Sequence, residues 1–404
     1  MATSYLKPLI ILTTLTLTLA HPNPSRTLHA RSSTCTPTAG GSESTDDVPA
    51  ITSAIQSCGD GGTIVIPSGS TYYLNSVLDF SGCSECDFQI EGLLKFSSST
   101  SYWGGRTAMM NVEDIDGIKI RSVTGDGVID GNGQDAYDLF AADSSYQRPT
   151  LLYITGGSNI QVSGFRQKNP PNVFNSIKGG STNVVFSNLE LDATSKSDNP
   201  PKNTDGFDIG ESTSVTLTNI KVTNDDDCVA FKPGADGVTV TEITCTGSHG
   251  LSVGSLGKGS DDAVKNVYVS GATMINSTKA AGIKTYPSGG SHGTSTVTNV
   301  TWTDITVKNC DYAIQIQSCY GEDESYCEEN PGDADLTDIV FNAFSGTTST
   351  AYEPVTGNLD CGTDGTCGVT VTDYTVKSPS GAGEVLCANT PSDLGVTCTS
   401  GASG

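Results

Sequence analysis

The sequence predicts an all-β protein, a single-domain right-handed parallel β-helix in which short strands coil around one long core. From about residue 110, a turn-forming residue is repeatedly followed by alternating apolar positions, as in Asn-Ile-Gln-Val at residues 159–162 and Ser-Val-Thr-Leu at residues 214–217. Such a repeat with Asn, Gly and Ser turns is typical of a solenoid. The long amphipathic helices of βαβ folds are missing, so a β-sandwich or a propeller is the main structural alternative.

The first residues have the pattern of a secretory signal peptide, which we expect to span residues 1–20. A cationic start ending at Lys7 precedes a short apolar stretch, and small residues follow at Thr18 and Ala20. Residues 21 to about 31 are a candidate pro-segment. The protein is therefore expected to be secreted and extracellular, with a β-helix catalytic domain at residues 35–404.

One short helix is expected before the coils begin. The segment from Asp46 to Ile55 has acidic residues at its start, and Cys58-Gly59 ends it. A solenoid exposes an open edge at its first coil, and a terminal element has to cover that edge. We therefore predict that this N-terminal helix caps the β-helix.

The thirteen cysteines all lie from Cys35 onward and indicate structural disulfides in an oxidising compartment. Because the number is odd, at least one cysteine is unpaired within the chain. Short sequence separations favour three candidate pairs: Cys228 with Cys245, Cys361 with Cys367, and Cys387 with Cys398. Two N-glycosylation sequons begin at Asn276 and Asn299.

The net charge of −24 limits the partners of this protein. A chain this acidic repels nucleic acid and anionic membranes at neutral pH. It also repels an acidic polysaccharide unless cations are concentrated where that polymer binds. We expect a monomer, without a nucleic-acid or membrane partner.

Three acids and a histidine recur at the period of a solenoid coil. Asp205 and Asp226 are 21 residues apart, and Asp227 and His249 are 22 apart. In a fold whose coil has about that length, the four side chains lie on one patch of surface. Hydrolysis of a glycosidic bond requires two or more carboxylates around one reacting centre. The spacing therefore predicts a glycosidase.

The motifs around these residues resemble the family-28 glycoside hydrolases, the polygalacturonase family. The similarity rests on Asn-Thr-Asp-Gly at residues 203–206, Asp-Asp-Cys at 226–228, Ser-His-Gly-Leu-Ser-Val-Gly-Ser-Leu-Gly at 248–257 and Ile-Lys-Thr at 283–285. Residues 127–133, Gly-Val-Ile-Asp-Gly-Asn-Gly, match another family phrase. The resemblance implies a β-helix that hydrolyses α-1,4 galacturonide bonds in pectin with inversion, without a metal or another cofactor.

The resemblance also implies roles for individual residues. Asp226 corresponds to the general acid, and Asp205 and Asp227 to the pair that activates water. His249 corresponds to the histidine that supports this centre. The positions Lys284 and Tyr320 correspond to substrate-binding residues, Lys284 as the cation that holds a substrate carboxylate.

Two physical expectations accompany these roles. Asp226 lies between other carboxylates, so we expect its pKa to be raised and its proton to be available to the leaving oxygen. Neighbouring coils are about 4.8 Å apart, so the carboxylates should lie closer than the roughly 6.5–9.5 Å usual for inverting enzymes. Lys232 follows the acids closely and either binds a substrate carboxylate or forms a local ion pair.

Gly282 is a departure from the family pattern, which has arginine before the Ile-Lys pair. Loss of a bidentate carboxylate ligand should weaken binding of bare polygalacturonate. We further expect the missing side chain to leave space in the groove for branches. This favours an endo-acting hydrolase of xylose-substituted galacturonan, and within the family the chain resembles the fungal enzymes of that type. An exopolygalacturonase is the closest alternative; a Ca²⁺-dependent pectate lyase and a non-catalytic wall-binding solenoid are the others.

Overall fold

The computed structural model describes residue 1 and residues 34–404. The predicted signal peptide and pro-segment lie outside the described residues. Strands dominate the rest of the chain and form two long sheets. Within the described residues, none of the helices combines the length and apolar character needed to cross a membrane.

The first sheet has sixteen strands, among which the later ones are long. They are β1 (Thr34–Cys35), β2 (Thr63–Ile66), β3 (Thr71–Leu74), β5 (Asp87–Ile90), β6 (Leu93–Phe96), β8 (Lys119–Arg121), β9 (Val128–Asp130), β11 (Ser158–Ser163), β12 (Arg166–Lys168), β14 (Ser181–Asp192), β16 (Ser212–Thr223), β18 (Ala235–Thr246), β20 (Asp261–Ile275), β22 (Thr294–Cys310), β24 (Asp335–Thr348) and β26 (Thr366–Tyr374).

The second sheet has twelve strands, and the helices lie outside both sheets. The strands are β4 (Leu78–Asp79), β7 (Ala108–Glu113), β10 (Thr150–Thr155), β13 (Asn175–Lys178), β15 (Phe207–Ile209), β17 (Val229–Phe231), β19 (Leu251–Leu256), β21 (Lys279–Thr285), β23 (Tyr312–Gln317), β25 (Val355–Asp360), β27 (Glu384–Ala388) and β28 (Cys398–Ser400). The helices are α1 (Val48–Cys58), α2 (Thr100–Trp103), α3 (Gln134–Ala142) and α4 (Glu324–Glu329).

Strand pairing is parallel along both sheets, and each strand pairs with its counterpart one coil later. Phe207 pairs with Val229, and Val229 pairs with Leu251, so each of these two coils takes 22 residues. The protein is thus the predicted right-handed parallel β-helix. A β-sandwich or propeller, both built from antiparallel strands, is ruled out.

The repeated sequence phrase begins at a sharp bend of each coil. Its first residue has a positive φ in successive coils, 54° at Asn183, 57° at Ser214, 73° at Gly237, 54° at Asn266 and 55° at Asn299. Asparagine and glycine tolerate this left-handed conformation better than other residues, which explains their recurrence. Some of the asparagines also hydrogen-bond from coil to coil, as Asn299 Nδ2 does to Asn266 Oδ1 at 2.8 Å.

The apolar residues after each bend alternate between the interior and the surface. In β16 the side chains of Val215 and Leu217 are fully buried, and the same holds for Val238 and Val240 one coil later. A strand turns successive side chains to opposite faces, so a period of two fills the interior. The core is therefore a stack of aligned apolar rows.

Helix α1 confirms the predicted capping helix. It begins at Val48, has Pro49 in its first turn, and packs on β1, β2 and β4 with Ile51 and Ile55 fully buried. A second helix that the sequence analysis did not predict, α3, spans nine residues. Only Ala136 and Tyr137 of α3 are buried, so its apolar periodicity in the sequence is weak.

Six disulfides tie residues that are close in sequence. They include Cys228–Cys245, Cys361–Cys367 and Cys387–Cys398, together with Cys35–Cys58, Cys83–Cys86 and Cys319–Cys327. Cys310 is the remaining cysteine, buried and without a disulfide partner among the described residues. The Cys228–Cys245 bond adjoins Asp227 and therefore fixes the coil that carries the acids.

Candidate active site

Strand register stacks the predicted acids and the histidine at one edge of the second sheet. Asp205 lies two residues before Phe207, Asp227 two before Val229, and His249 two before Leu251, and these three strand residues are register partners. The 22-residue coil therefore places Asp205, Asp227 and His249 in one row across three coils. Asp226 lies beside this row, one residue before Asp227.

The three aspartates meet in one cavity of about 490 Å³. One carboxylate oxygen of each lies within 4.8 Å of the others, as the coil spacing predicts. Their exposure differs, with 19% of the Asp226 side chain accessible against 8% for Asp205 and 1% for Asp227. Asp226 therefore faces the solvent side of the cavity, and the other two line its floor.

Asp226 accepts three contacts that hold it in place. His249 Nδ1 lies 3.3 Å from Asp226 Oδ1, and Asn203 Nδ2 donates to Oδ2 at 3.0 Å. The backbone N–H of Asp227 donates to Oδ1 at 2.8 Å. These donors favour the ionised form of the carboxyl group.

The expected raised pKa of Asp226 is wrong for this structure. Burial alone raises the pKa of Asp226, but the hydrogen bond and charge of His249, together with the Asp227 N–H and Lys284, outweigh burial and hold that pKa well below its usual range. The hydrogen bond with Asp226 in turn raises the pKa of His249. The sequence shows that carboxylates cluster, but it does not show that an imidazole lies against one of them.

Asp205, by contrast, has a strongly raised pKa. Its burial is the main cause, and the neighbouring charges of Asp208 and Asp226 add to it. Asp227 is equally buried, but Lys284 Nζ lies 2.7 Å from its Oδ2 and keeps its pKa below the usual value against the effect of burial. Of the three acids, Asp205 is therefore the one whose environment most favours the protonated form.

Asp208 is a fourth acid that the sequence analysis missed. It is directed into the same cavity as Asp205, and Lys232 Nζ lies between them, 3.6 Å from Asp208 and 3.8 Å from Asp205. Lys232 therefore forms a local ion pair, which is one of the two roles that the sequence analysis considered for it. The alternation of inward and outward side chains along a strand is the sequence signal for Asp208, because its neighbours Phe207 and Ile209 point inward.

Arg148 is a second missed residue, and it acts through Asn203. Its guanidinium lies 3.6 Å from the centre of the Phe140 ring and donates to Asn203 Oδ1 at 2.8 Å and Lys202 O at 2.7 Å. It thereby orients the amide that contacts Asp226. Arg148 is 55 residues from Asn203 in sequence, and nothing in the residue pattern connects them.

Lys284 and Tyr320 lie together at the wall of the cavity. Lys284 Nζ is 5.4 Å from the centre of the Tyr320 ring, and Tyr320 packs edge-to-face on Tyr286 at 5.5 Å. Lys284 is nearly buried and is engaged with Asp227. The structure therefore brings both predicted substrate-binding residues to the acids.

Gly282 does not leave open space, contrary to the expectation. A Cβ atom at this position would lie 2.2 Å from the Gln315 carbonyl oxygen and 3.0 Å from Cδ of Lys279. Backbone of the next coil and a lysine stem already occupy that volume. An arginine therefore could not be accommodated here without moving β23.

Among residues 34–404, the three aspartates of the cavity are also the group of side chains that could hold a metal ion. Asp205, Asp226 and Asp227 offer oxygens of the kind that hard divalent cations prefer. Lys284 and Lys232, however, already place positive charge against two of these acids. The prediction of metal-free chemistry stays a prediction.

Carboxylates that meet in a surface cavity are what hydrolysis of a glycosidic bond requires. The sequence profile of glycosyl hydrolases family 28 matches residues 58–399. The chain belongs to this family and is a glycosidase.

Similar proteins agree with this assignment. Endo-xylogalacturonan hydrolase A of Aspergillus tubingensis is 73% identical over 401 residues, which cover 98% of each chain. The crystal structure of endo-xylogalacturonan hydrolase from the same organism superimposes with a TM-score of 0.92 at 76% identity, covering 92% of this chain and 100% of that one. The polygalacturonase of Erwinia carotovora ssp. carotovora shares the fold at 19% identity, with a TM-score of 0.69 and coverage of 93% and 99%.

Proposed function

We propose that this protein is a secreted hydrolase that cleaves α-1,4 galacturonide bonds inside xylose-substituted galacturonan. The relatives named endo-xylogalacturonan hydrolase support this substrate, because they match the chain over nearly its whole length. Their names also favour the endo mode over release of galacturonate by an exopolygalacturonase. The observation that carries the catalytic part is the cavity in which three aspartates meet.

Asp226 is the general acid in this proposal. It is the most exposed of the three acids, so its carboxyl group can reach the oxygen of the leaving sugar. In the free protein the proton needed for this step resides on His249, whose pKa is raised. A substrate carboxylate at Lys284 would add negative charge near Asp226 and so raise its pKa against the effects of His249 and Lys284, and the proton can then move from His249 to Asp226.

Asp205 and Asp227 are the residues that activate water. Both lie on the floor of the cavity, below the position of a sugar held against Asp226. The ionised state of Asp227 is maintained by Lys284, so Asp227 can accept a proton from water. Asp205, whose pKa is raised, accepts a proton from the water when ionised and holds the water by donating to it when protonated.

Inversion at the anomeric carbon is the stereochemical outcome that we propose. The acids are closer together than is usual for inverting enzymes. Proton NMR of the first-formed reducing ends tests this point, because an α-linked substrate gives β-anomers by inversion. Initial formation of α-anomers would contradict the proposal and would assign one of the floor aspartates as a nucleophile.

Cations in the groove offset the repulsion that is expected between an acidic polysaccharide and a protein with a net charge of −24. Arg148, Lys232 and Lys284 line the same cavity as the acids. We propose that Lys284 and Lys232 attract substrate carboxylates and that Tyr320 contacts the adjoining sugar ring. Local charge, and not the global charge, then governs binding of an acidic polymer.

The test is hydrolysis of xylogalacturonan and of unbranched polygalacturonate at about pH 4, with the products sized over time. We expect the wild-type protein to release short xylose-bearing oligomers early and the Asp226→Asn variant to be inactive. Asp225→Asn is the matched control, because Asp225 is adjacent in sequence but does not line the cavity. Early release of monomer from the unbranched polymer would instead assign an exopolygalacturonase.

Secretion and glycosylation are further parts of the proposal. Asn276 and Asn299 are exposed, so both sequons are accessible to a glycan. Expression in a fungal host should yield extracellular protein that begins after the predicted signal peptide or pro-segment. N-terminal sequencing and mass spectrometry before and after deglycosylation check both points, and light scattering checks for the expected monomer.

A further inference from the structure

The row of acids continues one coil further to a buried lysine. Leu251 pairs with Ala281, so Lys279, two residues before Ala281, occupies the position that His249 occupies one coil earlier. Asp205, Asp227, His249 and Lys279 thus form successive members of one row. The sequence spacing hides this continuity, because the coil between His249 and Lys279 has 30 residues in place of 22.

Two glycines make room for the lysine stem. A Cβ atom at Gly250 would lie 2.9 Å from Cγ of Lys279, and a Cβ atom at Gly282 would lie 3.0 Å from its Cδ. Both distances are shorter than a carbon–carbon contact allows. The lysine therefore runs across two flanking glycines and is only 3% exposed.

Unlike Lys284 and Lys232, Lys279 has no acid within ion-pair distance, although the charges of Asp227 and Asp226 act on it from farther away. Lys284 contacts Asp227 at 2.7 Å, and Lys232 lies within 4.0 Å of two acids. Within residues 34–404, no ion pair or side-chain hydrogen bond satisfies Lys279. A buried ammonium without a contacting acid or hydrogen bond is costly, and such groups are concentrated at functional sites.

The space in front of Lys279 is a second cavity of about 270 Å³ that adjoins the acids. His249, Lys284 and Tyr320 line it together with Lys279, and Lys284 and Tyr320 also line the acid cavity. Its outer wall carries Tyr352, which is 51% exposed and stacks on Tyr312 with 4.6 Å between ring centres. An exposed aromatic face beside a cation suits a sugar ring that carries a carboxylate.

We propose that Lys279 binds the carboxylate of a galacturonate unit next to the scissile bond, in place of the arginine that Gly282 replaces. This inference deepens the proposed function and rests on it. Burial and the neighbouring charge of Lys284 lower the pKa of Lys279 to about 8, which still leaves the ammonium charged in mild acid. Position 282 then has to be glycine, because any larger side chain there would collide with the stem of Lys279.

The experiment compares Lys279→Met with the wild type on xylogalacturonan and measures KM, kcat and their dependence on salt. The matched control is Lys265→Met, the same change at an exposed lysine of β20. We expect KM to rise about tenfold in Lys279→Met, equivalent to about 1.4 kcal/mol, with kcat within about twofold. KM of the variant should also depend less on ionic strength, because one charge pair with the substrate is lost.

A purely structural role would lower the melting temperature and kcat but leave the salt dependence of KM unchanged. A variant with wild-type KM and salt dependence would therefore overturn the inference. If the wild type fails to cleave xylogalacturonan at all, the proposed function fails, whatever Lys279 does.

A second measurement covers the case in which Lys279→Met does not fold. In Asp226→Asn protein labelled with ¹³C-lysine, the NMR signals of Lys279 report its pKa with and without a xylogalacturonan oligomer. A bound carboxylate should raise the pKa of Lys279, since an opposite charge favours the ammonium form. An unchanged pKa in the saturated complex would overturn the inference.

Discussion

The Lys284→Met substitution should destabilise the protein strongly, because it removes the partner of a buried carboxylate. Lys284 Nζ lies 2.7 Å from Asp227 Oδ2, and the two side chains are 8% and 1% exposed. Methionine retains the length of the lysine stem, so the main loss is the charge. Breaking a buried pair by removing one partner costs about 3–5 kcal/mol, because the other charge stays buried and uncompensated.

The cost should depend on pH in a defined direction. Lys284 holds the pKa of Asp227 below its usual value, so in the wild type this pair contributes stability above about pH 4 that is lost as the pH falls through the folded-state pKa. Without Lys284 the pKa of Asp227 rises. In acid the Asp227 carboxylate of the variant is then protonated, which removes the cost of a buried charge without its partner. The difference in unfolding free energy should therefore be largest near pH 6 and smaller near pH 3.

Urea unfolding at pH 6 and pH 3 measures this difference. Lys265→Met is the matched control, and its effect should stay within about 0.5 kcal/mol. A cost of Lys284→Met below about 1 kcal/mol at pH 6 would refute the reasoning. So would a cost that grows as the pH is lowered.

Three further outcomes are expected. In His249→Ala, kcat/KM should fall about 10²-fold. The decline of kcat/KM at alkaline pH should move to lower pH, because the variant lacks the imidazole that holds the proton and whose pKa Asp226 raises in the wild type. An unshifted pH profile would contradict this expectation. Treatment with EDTA followed by desalting should leave the hydrolysis rate unchanged, whereas a loss restored by Ca²⁺ would require a metal at the acids. Replacing Cys228 and Cys245 by alanine should cost about 3 kcal/mol in urea unfolding for a loop of 17 residues; unaltered stability would argue against the bond as a stabilising element.

The missed and corrected residues share one physical cause, which is the direction of side chains from neighbouring coils. Asp226 was expected to be protonated because acids cluster around it, yet His249 and Asn203 donate to it. Gly282 was expected to leave space, yet Gln315 and Lys279 occupy it. The contacts of His249 and Asn203 with Asp226, and of Gln315 with Gly282, join different coils and depend on bends and loop lengths that the residue order does not state.

What the sequence determined by itself is the repeat and the identity of the central acids. Because parallel pairing keeps the backbone in register, a 22-residue coil sets Asp205 and Asp227 side by side once the period is recognised. Only the tertiary structure decided the charge state of each acid and the continuation of the row to Lys279. The 30-residue coil breaks the spacing but not the register, and hydrogen bonding between strands, not residue count, aligns the side chains.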